Sequence, residues 1–155
     1  MSRDDDAANA PPTLVYAVGR ASQGVRRELQ RRLAPWELSV PELTALSVLQ
    51  RRSGLSNAQL ARRSLITPQS MNDVVAALER RGLMARTADP SHGRILRAEL
   101  TPDGRRLLRK VNPVVARLQD ELLKEVPDDE REIVVRGLVS VMRVLSDGLG
   151  DAGPG

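Results

Sequence analysis

TPQSMNDVVAALERRGLMARTADPSHGRILRAELTPDG, residues 67–104, is the stretch on which the fold turns. Thr67-Pro68 opens a helix: threonine caps well, and proline at the first helical position lacks only an N–H that would find no partner. Met71, Val74, Val75 and Leu78 recur in steps of three and four and so share the inward face of that helix. Its outward face carries Gln69, Ser70, Asn72, Asp73 and the small Ala76. Glu79-Arg80-Arg81-Gly82 ends it, and two short extended runs follow at 83–87 and 95–100. Between them, Asp89-Pro90-Ser91-His92-Gly93-Arg94 is turn chemistry closed by an arginine. A polar-faced helix followed by a basic-tipped hairpin is the plan of a winged helix-turn-helix, which sets a helix in the major groove and an arginine near the minor groove. The expected fold is therefore mainly α with a small β-hairpin wing, and the expected partner is double-stranded DNA.

The flanks extend this plan. Leu14, Val18, Ala21, Val25, Leu29 and Leu33 predict a first helix over 13–33, which Pro35 ends. A second helix follows Ser39-Val40-Pro41, with Leu43, Leu46 and Leu49 on one side. Ser56-Asn57-Ala58-Gln59 reads as a capping box before a short third helix bearing Leu60 and Ala61. After the hairpin, Thr101-Pro102-Asp103-Gly104 opens a fifth helix striped by Leu107, Val111, Val114, Val115, Leu118 and Leu122. Pro113 lies inside that stripe and predicts one bent helix rather than two. Pro127-Asp128 starts a sixth, in which Ile133, Val134, Leu138, Val141, Met142, Leu145 and Leu149 leave little polar surface. A helix so apolar must be covered, and one subunit offers little to cover it. A homodimer joined through both termini is expected, with Leu14, Val18, Leu138, Met142 and Leu145 at its contacts. The organisation expected is one unit over 12–149. It comprises a reading lobe at 38–104 and dimerisation helices at 12–34 and 105–149, between disordered tails at 1–11 and 150–155.

Composition narrows the alternatives. The 155 residues contain no cysteine and no phenylalanine, so disulfides and thiolate chemistry are excluded and the core must be aliphatic. Residues 51–110 hold 13 Lys+Arg against 5 Asp+Glu, while the rest of the chain is net acidic, an asymmetry that fits a basic middle meeting a polyanion. Only Lys110 and Lys124 of the 24 basic residues are lysine, a bias of GC-rich bacterial coding. No apolar run suits a membrane span, and the Asp-rich N-terminus has no signal core, so a cytoplasmic protein without a membrane partner is expected.

Chemistry is then assigned by residue type. Gln69 and Asn72 can bond adenine bidentately, Ser70 can bond donors or acceptors, and Asp73 shares their face. Thr67 can cap the helix and reach a phosphate at its positive end. Arg62 and Arg63 face phosphates; Arg86 and Arg97 serve as phosphate contacts or ion-pair partners. Arg94 suits a narrow minor groove. Asp89 structures the turn or orients an arginine, and His92, the one histidine, is a solvated turn residue that stands with Arg94 among the wing residues expected to meet DNA. No phosphate loop, metal cluster or catalytic constellation is present, so neither an enzyme nor a cofactor is expected. Single-strand binding is disfavoured because the only aromatics, Tyr16 and Trp36, lie outside the basic region.

Residues 13–148 resemble the MarR family of bacterial transcriptional regulators. The resemblance is carried by LSVPELTALSVL at 38–49, LSNAQLARRSLITPQSMNDVVAALERRGLMAR at 55–86 and DPSHGRILRAELTPDG at 89–104. The family wing commonly reads Asp-x-x-Asp-Arg-Arg, followed by Leu-Thr-x-x-Gly. Asp89, Arg94, Leu100, Thr101 and Gly104 match, whereas His92 and Gly93 replace the second aspartate and first arginine. The resemblance implies a homodimeric repressor released from a pseudo-palindromic operator by a small-molecule effector, in a pocket that Tyr16, Trp36, Leu43 and Leu46 are placed to line. Trp36 is equally readable as a core plug. Lack of cysteine excludes thiol oxidation as the switch. The alternative is a dimeric winged-helix architectural or protein-interaction module without a specific operator.

Overall fold

The computed structural model describes residues 12–147, so the expectations for 1–11 and 150–155, and for Leu149, lie outside the described residues. The elements are α1 (Leu14–Leu33), a 3-10 turn (Ala34–Trp36), α2 (Val40–Arg51), α3 (Asn57–Ser64), α4 (Pro68–Arg80), β1 (Met84–Ala88), β2 (Leu96–Leu100), α5 (Pro102–Leu122) and α6 (Asp128–Asp147). No helix among the described residues is long and apolar enough to cross a membrane.

Helix boundaries follow local chemistry. Thr13, Ser39, Ser56, Thr67 and Thr101 are N-caps whose hydroxyls accept from the backbone N–H three residues on. Ser56–Gln59 forms the expected capping box, and Ser39–Glu42 forms a second. At the other end of α4, Gly82 adopts φ +66°; its N–H bonds Glu79 O at 2.9 Å and the Leu83 N–H bonds Leu78 O at 2.9 Å. This is a Schellman stop. α3 stops the same way, but its left-handed residue is Leu65, at φ +53°. A leucine there costs about 1 kcal/mol.

The core is aliphatic and lies in the lobe. Leu33 of α1, Leu46 of α2, Leu60 of α3, Met71 and Leu78 of α4, Met84 of β1 and Leu108 of α5 are all fully buried, with Trp36 packed partly buried at the edge. Strands β1 and β2 pair antiparallel from Met84↔Leu100 to Ala88↔Leu96, each run starting one residue later than its sequence pattern indicated. Beyond β2 the Leu55 region pairs too: Ala98 N–H bonds Leu55 O at 2.8 Å and Gly54 N–H bonds Ala98 O at 3.0 Å. The wing is thus anchored on both edges of β2.

The start of α5 is pressed against the α4–β1 junction. A Cβ on Gly104 would lie 2.0 Å from Leu83 O, so only glycine fits. Thr101 Oγ1 donates to Gly82 O at 2.6 Å while accepting from Gly104 N–H at 3.1 Å. Beyond this point α5 runs through Pro113 as one helix, burying Leu108, Val111 and Leu118. Leu107 and Val115 pack partly buried against the same core, Leu108 is fully buried beside them, and Leu122 remains 53% exposed. Arg32 ties α1 to α5 by bonding Glu121 Oε2 at 2.5 Å, and it also bonds Glu28 at 2.7 Å. Arg31 and Arg32 together hold the Glu28 carboxyl down to about 2.

Candidate nucleic-acid interface

The split of α4 decides what it can do. Met71, Val75 and Leu78 are buried, and Val74 is half-buried, against the lobe. Gln69, Ser70, Asn72 and Asp73 are all exposed on the opposite side. Thr67 is engaged locally: its hydroxyl accepts from Ser70 N–H at 3.1 Å and donates to Ser70 Oγ at 2.9 Å. Asn72 Oδ1 accepts from Asn57 Nδ2 of α3 at 2.9 Å, a contact between distant positions that no sequence spacing announces.

Arg62 and Arg63 lie exposed in the last turn of α3 and make no ion pair among the described residues. Arg63 lines a cleft with Arg51, Arg52 and Arg143, concentrating positive charge beside α3. Arg86 takes the second of its two expected roles, that of an ion-pair partner. Its Nε and Nη2 bond both oxygens of Glu79 at 3.0 and 2.7 Å, so the guanidinium is occupied within the protein. The cause is proximity: α4 reverses directly into β1, which sets residue 86 across from residue 79.

The wing turn is organised by Asp89. Its Oδ1 accepts from the Ser91 and His92 N–H groups at 2.7 and 3.2 Å, and its Oδ2 accepts from Arg97 Nε at 2.6 Å. Those bonds, the Ser91 N–H foremost, hold the Asp89 carboxyl below the usual carboxylate range. Arg97 Nη1 continues to Gln59 Oε1 at 3.1 Å, the same oxygen that accepts from Ser56 N–H at 3.0 Å. A chain of hydrogen bonds thus runs from the start of α3 to the wing tip. Arg94 and His92 stand exposed on that tip, and Arg94 makes no ion pair among the described residues.

The pocket residues do not assemble as expected. Leu43 and Leu46 point into the core, 6% and 0% exposed, while Tyr16 is 62% exposed near the start of α1. Tyr16 lies roughly 26 Å of helix from the end of α1, where Trp36 sits, at 1.5 Å per residue. The apolar concavity lies elsewhere: a groove of about 450 Å³ between α1, the start of α2 and α6, with Val18, Val25, Leu29, Val40, Leu138 and Met142 on its walls. Leu14, Leu138, Met142 and Leu145 remain 62%, 43%, 52% and 47% exposed, and Val18 is half-buried on the groove wall.

Known proteins share this arrangement. The family profile described as MarR family matches residues 36–95. The HTH-type transcriptional repressor Rv2887 of Mycobacterium tuberculosis is 42% identical over 109 residues, covering 70% of this chain and 77% of the relative. The crystal structure of Rv2887 with salicylic acid superposes with a TM-score of 0.70 at 36% identity, covering 86% of this chain and 98% of that one. The transcriptional repressor CouR, bound to a 23-mer DNA duplex, gives 0.75 at 29% identity, over 83% and 92% of the two chains. By sequence identity, by coverage and by the helix-and-wing geometry alike, this chain belongs to the MarR family of transcriptional regulators.

Proposed function

We propose that this chain is a homodimeric repressor that reads double-stranded DNA with α4 and the wing, and leaves its operator when a small molecule binds. The observation that carries this reading is the two-faced α4, apolar toward the lobe and polar toward solvent, beside an arginine-tipped hairpin. Residues 38–104 form the reading lobe, and residues 12–34 and 105–149 form the dimerising helices. Gln69, Ser70, Asn72 and Asp73 face base edges, with Thr67 and the start of α4 near a phosphate. Arg62 and Arg63 meet phosphates, while Arg94, with His92 beside it, enters the minor groove. The relative CouR is a repressor bound to duplex DNA, which supports this placement.

Dimerisation rests on the exposed apolar residues of α1 and α6, which a second copy would cover. Effector release rests on the groove between α1, α2 and α6, which is apolar except for Ser22 and Arg26. That lining favours a small apolar molecule with one acidic group, the chemistry of the salicylic acid held by Rv2887. Selection from a random duplex library tests the reading. Enrichment of a two-fold symmetric site, with half-sites about 34 Å apart, is expected. Equal affinity for all duplexes would replace it with an architectural or protein-interaction module.

A further inference from the structure

Asn57 opens α3 and Asn72 lies one turn into α4, 15 residues later, yet their amides meet across the helix-turn-helix. Asn57 Nδ2 lies 2.9 Å from Asn72 Oδ1 and 3.4 Å from Pro68 O. The second contact fixes the polarity of the first. Pro68 O is a backbone carbonyl and can only accept, so the side of the Asn57 amide that faces it must be the NH₂. Turning the Asn57 amide over would bring two oxygens together. The atom of Asn72 that faces the same NH₂ must then be its own oxygen. Asn57 Oδ1 is left inside, buried and without a donor, and it keeps this orientation because the Pro68 carbonyl bars the other.

Asn72 is exposed on the face that reads bases, so this bond has a chemical consequence outside the protein. We infer that Asn57 is a positioning residue that sets the polarity of the Asn72 amide, so that Asn72 meets the major groove as a hydrogen-bond donor. A free asparagine can turn over and suit either a donor or an acceptor, and its bidentate match is adenine. With Oδ1 held by Asn57, the outward group is Nδ2–H. It suits acceptor edges, guanine O6 and N7, adenine N7 or thymine O4, and it opposes the N4 amino group of cytosine. Asn57 thereby sharpens specificity without itself reading a base. The inference rests on α4 being the groove-reading helix, and it adds a base class to that reading.

The test compares base preferences at each operator position for wild type, Asn57→Ala, Asn72→Ala and the double variant, by competition binding to single-substituted duplexes. In the wild type, one position per half-site should discriminate against cytosine, and Asn72→Ala should remove that discrimination. Asn57→Ala should lower discrimination at the same position by about tenfold while other positions keep theirs, and in the Asn72→Ala background it should add nothing. Asn57→Asp presents only acceptors to Asn72, turns its amide over and should shift that position toward cytosine or adenine. If Asn57→Ala weakens all duplexes equally, with additive effects in the double variant, Asn57 is a phosphate contact and the inference is overturned while α4 remains the reader. If the Asn72→Ala profile matches wild type, both fall.

Discussion

The winged lobe and the terminal helices solve opposite problems with similar residues. In the lobe, leucines and methionines of α2, α3, α4 and β1 are nearly all covered, and polar groups form directed contacts: caps, the Asp89–Arg97–Gln59 chain and the Asn57–Asn72 pair. On α6 the same residue types lie open, with Leu138, Met142 and Leu145 each about half exposed. The lobe is finished by its own chain, whereas the terminal helices present an unfinished surface. Directed polar contacts and buried side chains are concentrated in the lobe, and open apolar surface on α6.

The largest break in this contrast should come from Leu138→Asp with Met142→Asp. Sedimentation should show monomer or aggregate, and operator binding should be lost, while the isolated substitutions leave the lobe's core untouched. A wild type that sediments as a folded monomer at micromolar concentration would remove the contrast altogether. Next in size is Gly104→Ala, whose new Cβ meets backbone at Leu83 O rather than a yielding side chain. It should cost about 1–3 kcal/mol in urea denaturation, and no loss would mean that α5 is not pressed on the α4–β1 junction.

A smaller and more selective effect is expected at the wing. Arg94→Ala should reduce discrimination at A·T pairs flanking the half-sites, leaving central preferences intact, because the two sites read different grooves. Arg94→Lys should recover only part of the loss, since the ammonium is more strongly hydrated. Flanking protection by Arg94→Ala equal to wild type would leave the tip merely solvated. The smallest effect concerns the tie between α1 and α5. The Glu28 carboxyl is held down from 4.5 to about 2, and that of Glu121 is lowered by Arg32. Carboxylates with depressed folded values stabilise above their unfolded values and lose that contribution as pH falls through the folded ones. Thermal stability should therefore decline between about pH 4.5 and pH 2, and Arg32→Met should flatten that decline slightly, as both carboxylates are solvent-screened.

Much of the fold was legible because it is written locally. Thr67-Pro68, Ser56 with Gln59, Thr101-Pro102 and Gly82 each satisfy backbone groups of their own turn, so a few adjacent residues carry the message. Asp89 was readable for the same reason. Long-range contacts were not. The Arg86–Glu79 pair depends on how tightly α4 doubles back into β1, and the Asn57–Asn72 pair depends on how α3 crosses α4. Each pair joins two different elements, so no repeat within one helix or one strand announces it. Depth was not legible either: Leu43 and Leu46 have the right chemistry to line a cavity and are buried in the core, and the periodicity that puts them on one face cannot tell a wall from a core. The Ser39–Glu42 box was visible in the chain and marks α2 as plainly as Ser56 marks α3.

One side chain ties the end of α4 to the bend between α1 and α2. Arg81, just past the end of α4, donates to Trp36 O at 2.8 Å and Glu37 O at 2.9 Å, in the bend where α1 gives way to α2, and lies 3.5 Å from Glu42. α4 is therefore pinned by its tail to the foot of α1. Seen from that pivot α4 is the needle of a gauge: a small swing of the whole lobe there would become a larger displacement at the far end of the helix, where Gln69 and Ser70 stand. With two such needles back to back, the distance between their points would be a reading of the angle at which the two feet are held.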